Sequence, residues 1–102
     1  MTIPEDIKEK MESDFGLTLT ETLFPYLLEK IPEGLPNGTR DRHLRCVLHL
    51  AGGDPRRLDD AIDLCRSDPR DVMLSAEYVT GPRGGLHRVR DYSRPFGQSE
   101  LD

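Results

Sequence analysis

The triplet Asp-Pro-Arg occurs twice, as Asp54-Pro55-Arg56 and Asp68-Pro69-Arg70, fourteen residues apart. Proline drives the residue before it out of the α region, so no helix runs unbroken through Asp54 or Asp68. Aspartate is a strong helix N-cap, and proline just after it has φ preset for a first turn. Each triplet therefore ends one helix and starts the next. The interval holds a helix of about twelve residues and a corner of about two.

The apolar spacing agrees with those corners. Leu58, Ala61, Ile62 and Cys65 lie between them at i, i+3, i+4 and i+7, the period of one helical face. Leu44, Val47, Leu48 and Ala51 repeat the spacing upstream, closed by Gly52-Gly53. Downstream, Val72, Ala76 and Val79 continue it, with Met73 widening the stripe and Gly81 ending it. The pattern predicts helices over 40–51, 55–66 and 69–79, with Asp68 and Asp71 placed like a capping box. Joins this short force neighbouring helices to pack, and none of them is long enough to be stable alone. A single period does not make a repeat array.

The N-terminal third is more acidic and less regular. Thr2-Ile3-Pro4-Glu5 reads as a capped helix start. Ile3, Ile7, Met11 and Phe15 form its stripe, and Gly16 is its natural stop. The expectation is a helix over 3–15. Leu23, Phe24, Leu27, Leu28 and Ile31 define a second apolar face. A start at Thr18, boxed with Glu21, leaves Pro25 inside the helix at a cost of ~3 kcal/mol. A start at Thr22 puts it in the first turn, so the sequence predicts either a kink near Glu21 or a start near Thr22. Pro32, Gly34, Pro36, Asn37 and Gly38 make a loop.

Beyond Gly81-Pro82-Arg83-Gly84-Gly85 the pattern changes. Leu86, Val89, Tyr92 and Phe96 are spaced among Arg88, Arg90 and Arg94, and His87–Arg90 has the look of a short extended piece. The fold expected is all-α: a compact bundle of about five short helices with an irregular or short extended C-terminal arm. Residues 1–97 form one domain, the arm over 81–97 docks on the helices through Tyr92 and Phe96, and 98–102 is a disordered tail.

Charge excludes some functions. The net charge is −5, and the imbalance is local. Residues 1–38 carry three lysines against eight acids, whereas eleven arginines balance eleven acids over 39–102. An acidic chain is a poor general polyanion binder. No apolar run approaches the ~20 residues of a membrane span. The opening Met-Thr-Ile-Pro-Glu-Asp lacks the basic and apolar regions of a signal peptide. With two cysteines, the expectation is a cytoplasmic protein with free thiols.

Arg45-Cys46 with Leu48 and Ala51, then Gly53 and Leu58, then Asp68, Arg70-Asp71-Val72 and Ala76-Glu77-Tyr78 resemble a set of small uncharacterised bacterial proteins. The resemblance spans a third to a half of the chain. It implies a bacterial cytosolic protein and carries no activity, cofactor or catalytic residue.

Several clusters invite chemistry. His43, Cys46 and His49 lie three apart on one predicted helix, with Cys65 on the next. These are zinc-ligand types, but positions 43 and 49 are about 120° apart around a helix, and small cysteines more simply fill a core. Cys46 lacks the helix-start or glycine-rich setting that activates a thiol. Asp59, Asp60 and Asp63 are flanked by Arg56, Arg57 and Arg66 at helical pairing distance, which marks a solvated face. No metal, cofactor or catalytic residue is assigned.

Asp71, Glu77 and Tyr78, with Arg70, read as a hydrogen-bond network that holds the arm. Arg83, His87, Arg88, Arg90 and Arg94 make the arm basic, with the acids of the first helix as natural partners. Aromatic and arginine residues are enriched at protein interfaces, so Arg88, Arg90, Tyr92, Arg94 and Phe96 form the expected interaction surface. The function expected is a non-enzymatic protein–protein interaction module, an adaptor or a toxin-neutralising type. The alternatives are a nucleic-acid-associated regulator using the arm, and an enzyme complete only as an oligomer. Nothing in the sequence sets an oligomeric state.

Overall fold

Both aspartates act as the corners the sequence predicts. In the computed structural model, which describes residues 3–36 and 38–101, α2 spans Arg40–Ala51, α3 Pro55–Ser67 and α4 Pro69–Glu77. The Asp54 carboxylate accepts the Arg56 N–H at 2.9 Å, and the Asp68 carboxylate accepts the Asp71 N–H at 3.2 Å. Asp68 does double duty, because its own N–H still donates to the Leu64 carbonyl of α3. Thr39 caps α2 by accepting from Arg42 N–H. Gly52 ends that helix with φ 56°, a left-handed conformation suited to glycine.

The N-terminal helix α1, Glu5–Lys30, departs from expectation. Its one break is at Gly16, with φ 81° and ψ 164°, rather than near Glu21 or Thr22. Pro25 lies within the second rod. Pro25 and the Glu21 residue whose carbonyl loses its partner are both exposed, so the proline sits on the solvent side of the rod, where an unpaired carbonyl costs least. The Thr2 cap lies outside the described residues. Counting the two rods of α1 separately recovers five helical pieces.

The core gathers on α2. His43, Leu44, Arg45, Cys46, Val47 and Leu48 are all buried, so this helix is enclosed on every side and not along the single stripe that its apolar residues define. Ile7, Met11 and Leu27 of α1 approach it, as do Leu58, Ile62 and Cys65 of α3 and Val72 and Ala76 of α4. Each large apolar side chain buried this way contributes roughly 1.5–3 kcal/mol. Among the described residues no helix is long and apolar enough to cross a membrane.

The all-α expectation is corrected at the end of α4. The helix stops at Glu77, and Tyr78–Thr80 becomes strand β1, paired antiparallel with β2, Leu86–Arg88. Val79, assigned to the helix stripe from sequence, is instead 45 % exposed in a strand. Tyr-Val-Thr and Leu-His-Arg are β-compatible runs on either side of a turn. That turn is closed by Gly84 N–H donating to Gly81 O and by Gly81 N–H donating to Gly85 O. Pro82 suits the second turn position, and Gly84 takes φ 81° at the bulge. The five residues that break the helix thus build a hairpin.

Candidate functional site

Glu77, the last residue of α4, anchors the chain that follows it. Its side chain is 0 % exposed. Arg42 reaches it from α2 with two bonds, Nε at 3.0 Å and Nη2 at 2.6 Å. Arg88 of β2 donates a third at 3.3 Å, and the Tyr92 backbone N–H a fourth at 2.8 Å. The Glu77 carbonyl meanwhile accepts Val89 N–H and Arg90 N–H. One residue therefore binds the central helix, the hairpin and the chain beyond it. Burying a carboxylate this far from water is costly, and the pairing and hydrogen bonds offset that cost.

A second clamp lies beside it. Arg45, 5 % exposed, donates to both carboxylate oxygens of Asp6 at 2.9 and 3.1 Å and to the Tyr92 carbonyl at 3.1 Å. Asp6 also accepts the Phe96 N–H at 3.0 Å. Burial would raise the Asp6 carboxyl, but the Arg45 guanidinium and the Phe96 N–H outweigh it and hold the group below its usual range. The arm thus reaches α1 through its backbone and through Arg45, not through its own arginines.

Between the clamps sits Tyr92, 3 % exposed, stacked obliquely on Phe96 and His49. Its hydroxyl lies 2.8 Å from His49 Nδ1. Burial pushes the phenol up to about 12, and burial with Arg90 and Lys10 nearby pushes the imidazole down. Both shifts favour a protonated phenol beside a neutral ring. Past Tyr92, Asp91 N–H donates to Ser99 O, and Leu101 N–H donates to Val89 O. Ser99 is buried and Arg90 bridges to Glu100, so residues 99–101 lie antiparallel beside residues 89–91. Asp102 lies outside the described residues.

The five residues expected to form a surface divide accordingly. Tyr92 is core and Phe96 is half-buried against it. Arg88 is shared between Glu77 and Asp91, and Arg90 between Glu100 and the Ala76 carbonyl. Arg94 remains largely exposed, 3.7 Å from Asp91. What faces outward instead is the hairpin: Val79, Leu86 at 60 % exposure, and the exposed Arg83 at its tip.

The other clusters are not assembled into a centre. His49 is engaged by Tyr92, and His43 is sealed beneath the loop near the Pro36 carbonyl, neither ring nitrogen completing a hydrogen bond among the described residues. Burial pushes the Cys46 thiol far up, with the Glu77 charge adding to the effect, and it pushes Cys65 up to about 11. Such thiols are poor nucleophiles. Asp59 accepts a bond from the Tyr26 hydroxyl at 2.9 Å, joining α3 to α1. Of the predicted network on α4, Glu77 is its centre, while Asp71 lies in the first turn and donates its backbone N–H to the Asp68 cap.

Sequence reasoning missed Arg42 and Arg45 as clamp donors. Their signal was spacing: they lie three apart and flank the apolar stripe of α2, where a long cationic side chain reaches a neighbouring element. Comparison with family models, with curated proteins and with solved structures returns no match to this chain.

Proposed function

We propose that this protein is a non-enzymatic protein–protein interaction module that presents the hairpin Tyr78–Arg88 to its partner. The observation that carries the reading is the contrast at that hairpin. Its root is fastened by a fully buried carboxylate, while Val79 and Leu86 stand 45 % and 60 % exposed beside Arg83. Large apolar side chains on a rigidly held projection are what an interface core requires. Pre-organisation reduces the ordering cost of association. The buried thiols and His43 support the same reading, since these groups are enclosed in the core.

Nucleic-acid contact draws less support. Arg88 and Arg90 are committed to carboxylates of their own chain, which lowers the positive potential that phosphates would meet.

Affinity capture from the source cell tests the proposal, with the wild-type chain and a Val79→Ser/Leu86→Ser double variant as paired baits. A partner held by the wild type and lost by the folded double variant is the expected result. Equal capture by both, or no specific capture by either, rejects it.

A further inference from the structure

Resting on that reading, we infer that the outer edge of β2 is a docking site for an extended, acidic segment of a partner protein, which adds to the hairpin as a third strand. The backbone geometry fixes which groups are on offer. Tyr78 pairs with Arg88, Val79 with His87 and Thr80 with Leu86. In an antiparallel ladder, hydrogen-bonded pairs alternate with non-bonded ones. The bond from Gly81 N–H to Gly85 O and the bond from Val89 N–H to Glu77 O mark the bonded pairs. By that alternation Val79 and His87 point inward, while the N–H and C=O groups of Leu86 and Arg88 point away from β1.

The two edges differ. On β1 the Tyr78 N–H is already used, donating to Leu74 O at the end of α4. On β2 all three residues are exposed, and among the described residues nothing else bonds the Leu86 or Arg88 backbone. An open edge of alternating donors and acceptors is a template for another strand. A phosphate backbone supplies only acceptors, so a peptide matches this edge better than a nucleic acid does.

Charge selects the kind of peptide. From Tyr78 to Arg90 the chain carries three arginines and no acid. Arg88 and Arg90 are partly neutralised by their ion pairs, but Arg83 makes none among the described residues. A second copy of this chain could meet the edge by two-fold symmetry about His87. That pairing would set the Arg88 side chains of the two copies on one face, diagonally across the seam, within reach of each other's like charge. A strand alternating apolar and acidic residues avoids this. Its carboxylates lie on the face that carries Arg88, and its apolar side chains lie on the opposite face, with His87 and Val79.

The test is a titration of the 15N-labelled full chain with two heptapeptides, one alternating glutamate and valine, the other alternating lysine and valine. The expected result is saturable shifts largest at the Leu86 and Arg88 amides with the glutamate peptide, and none with the lysine peptide. Leu86→Pro removes an outward N–H without touching a ladder bond, and it should weaken binding by about tenfold or more. If that variant loses the native spectrum, Arg83→Glu serves in its place, with weakened binding again expected. The inference is overturned by absence of binding, by equal binding of the lysine peptide, by shifts centred on Thr80 or on Leu17 and Leu19, the exposed apolar residues of α1, or by stronger binding of a single-stranded oligonucleotide at the same amides. Concentration-dependent shifts at Leu86 and Arg88 without peptide overturn it in favour of self-association. A cellular partner that is lost by the Ser double variant yet survives Leu86→Pro sinks this inference alone, whereas no specific capture sinks the interaction-module reading itself.

Discussion

Arg42 and Glu77 are separated by 35 positions in the chain and joined by two hydrogen bonds of 3.0 and 2.6 Å, with the carboxylate wholly buried. The pair ties the enclosed helix to the residue where helix gives way to strand. Breaking such a pair from one side leaves a charge uncompensated in the interior. Glu77→Gln is expected to cost about 3–5 kcal/mol in urea unfolding. Replacing both partners, as Arg42→Met with Glu77→Met, should cost less than the sum of the single changes, because no orphan charge remains.

His43 gives the fold a pH dependence. Burial depresses its pKa below the ordinary 6.5; Arg42 adds to this, and the Pro36 carbonyl opposes it only in part. The unfolded chain thus binds the proton more readily than the folded one. Stability is complete above the unfolded value of 6.5 and falls as pH drops below it, by up to ~1.4 kcal/mol per pH unit for this group. His49 acts with the same sign. Urea midpoints measured from pH 7.5 to 5 should decline in the wild type, and more shallowly in His43→Leu.

Gly16 holds the break in α1 at φ 81° and ψ 164°, a conformation almost confined to glycine. A Cβ there would meet nothing within 4 Å, so the penalty of Gly16→Ala is purely one of backbone strain. It should be about 1–3 kcal/mol by thermal or urea denaturation. A neutral substitution would mean the two rods of α1 do not need this bend.

The thiols should be silent until the protein unfolds. Cys46 and Cys65 are both 0 % exposed, and both are shifted toward the protonated form by burial. A thiol-disulfide colour reagent at pH 8 is expected to label neither in the native protein and both in guanidinium. Fast labelling of either in the native state would contradict the packing around α2.

The proline corners were readable because they act locally. Asp54 and Asp68 cap the residues beside them, and a single sequence contains everything that such a bond requires. The break at Gly16 was half readable, since the glycine marked a stop but the exposure that lets Pro25 ride inside the following rod is tertiary. The end of α4 was misread because Val79 falls on the apolar period of that helix, while its strand partner, His87, lies eight residues on. The Gly-Pro-Arg-Gly-Gly run between two β-compatible stretches was the available sign. The clamps depend on pairs 35 and 39 positions apart. The chain shows that Glu77 and Asp6 are acids and Arg42 and Arg45 bases, but folding alone brings them together. Tyr92 and Phe96, expected both to pin the arm on the helices and to form a surface, lie inward between those same clamps.

Amide hydrogen exchange tests the central claim, that a fastened arm leaves one strand edge open, more directly than any substitution. Val89, Tyr92 and Leu101, whose N–H groups donate to Glu77 and to Val89, should exchange about as slowly as Val47 and Leu48 within α2. Leu86 and Arg88 should exchange orders of magnitude faster. Rapid exchange across 89–101, or protection at Leu86 and Arg88 equal to that of Val89, would contradict the account.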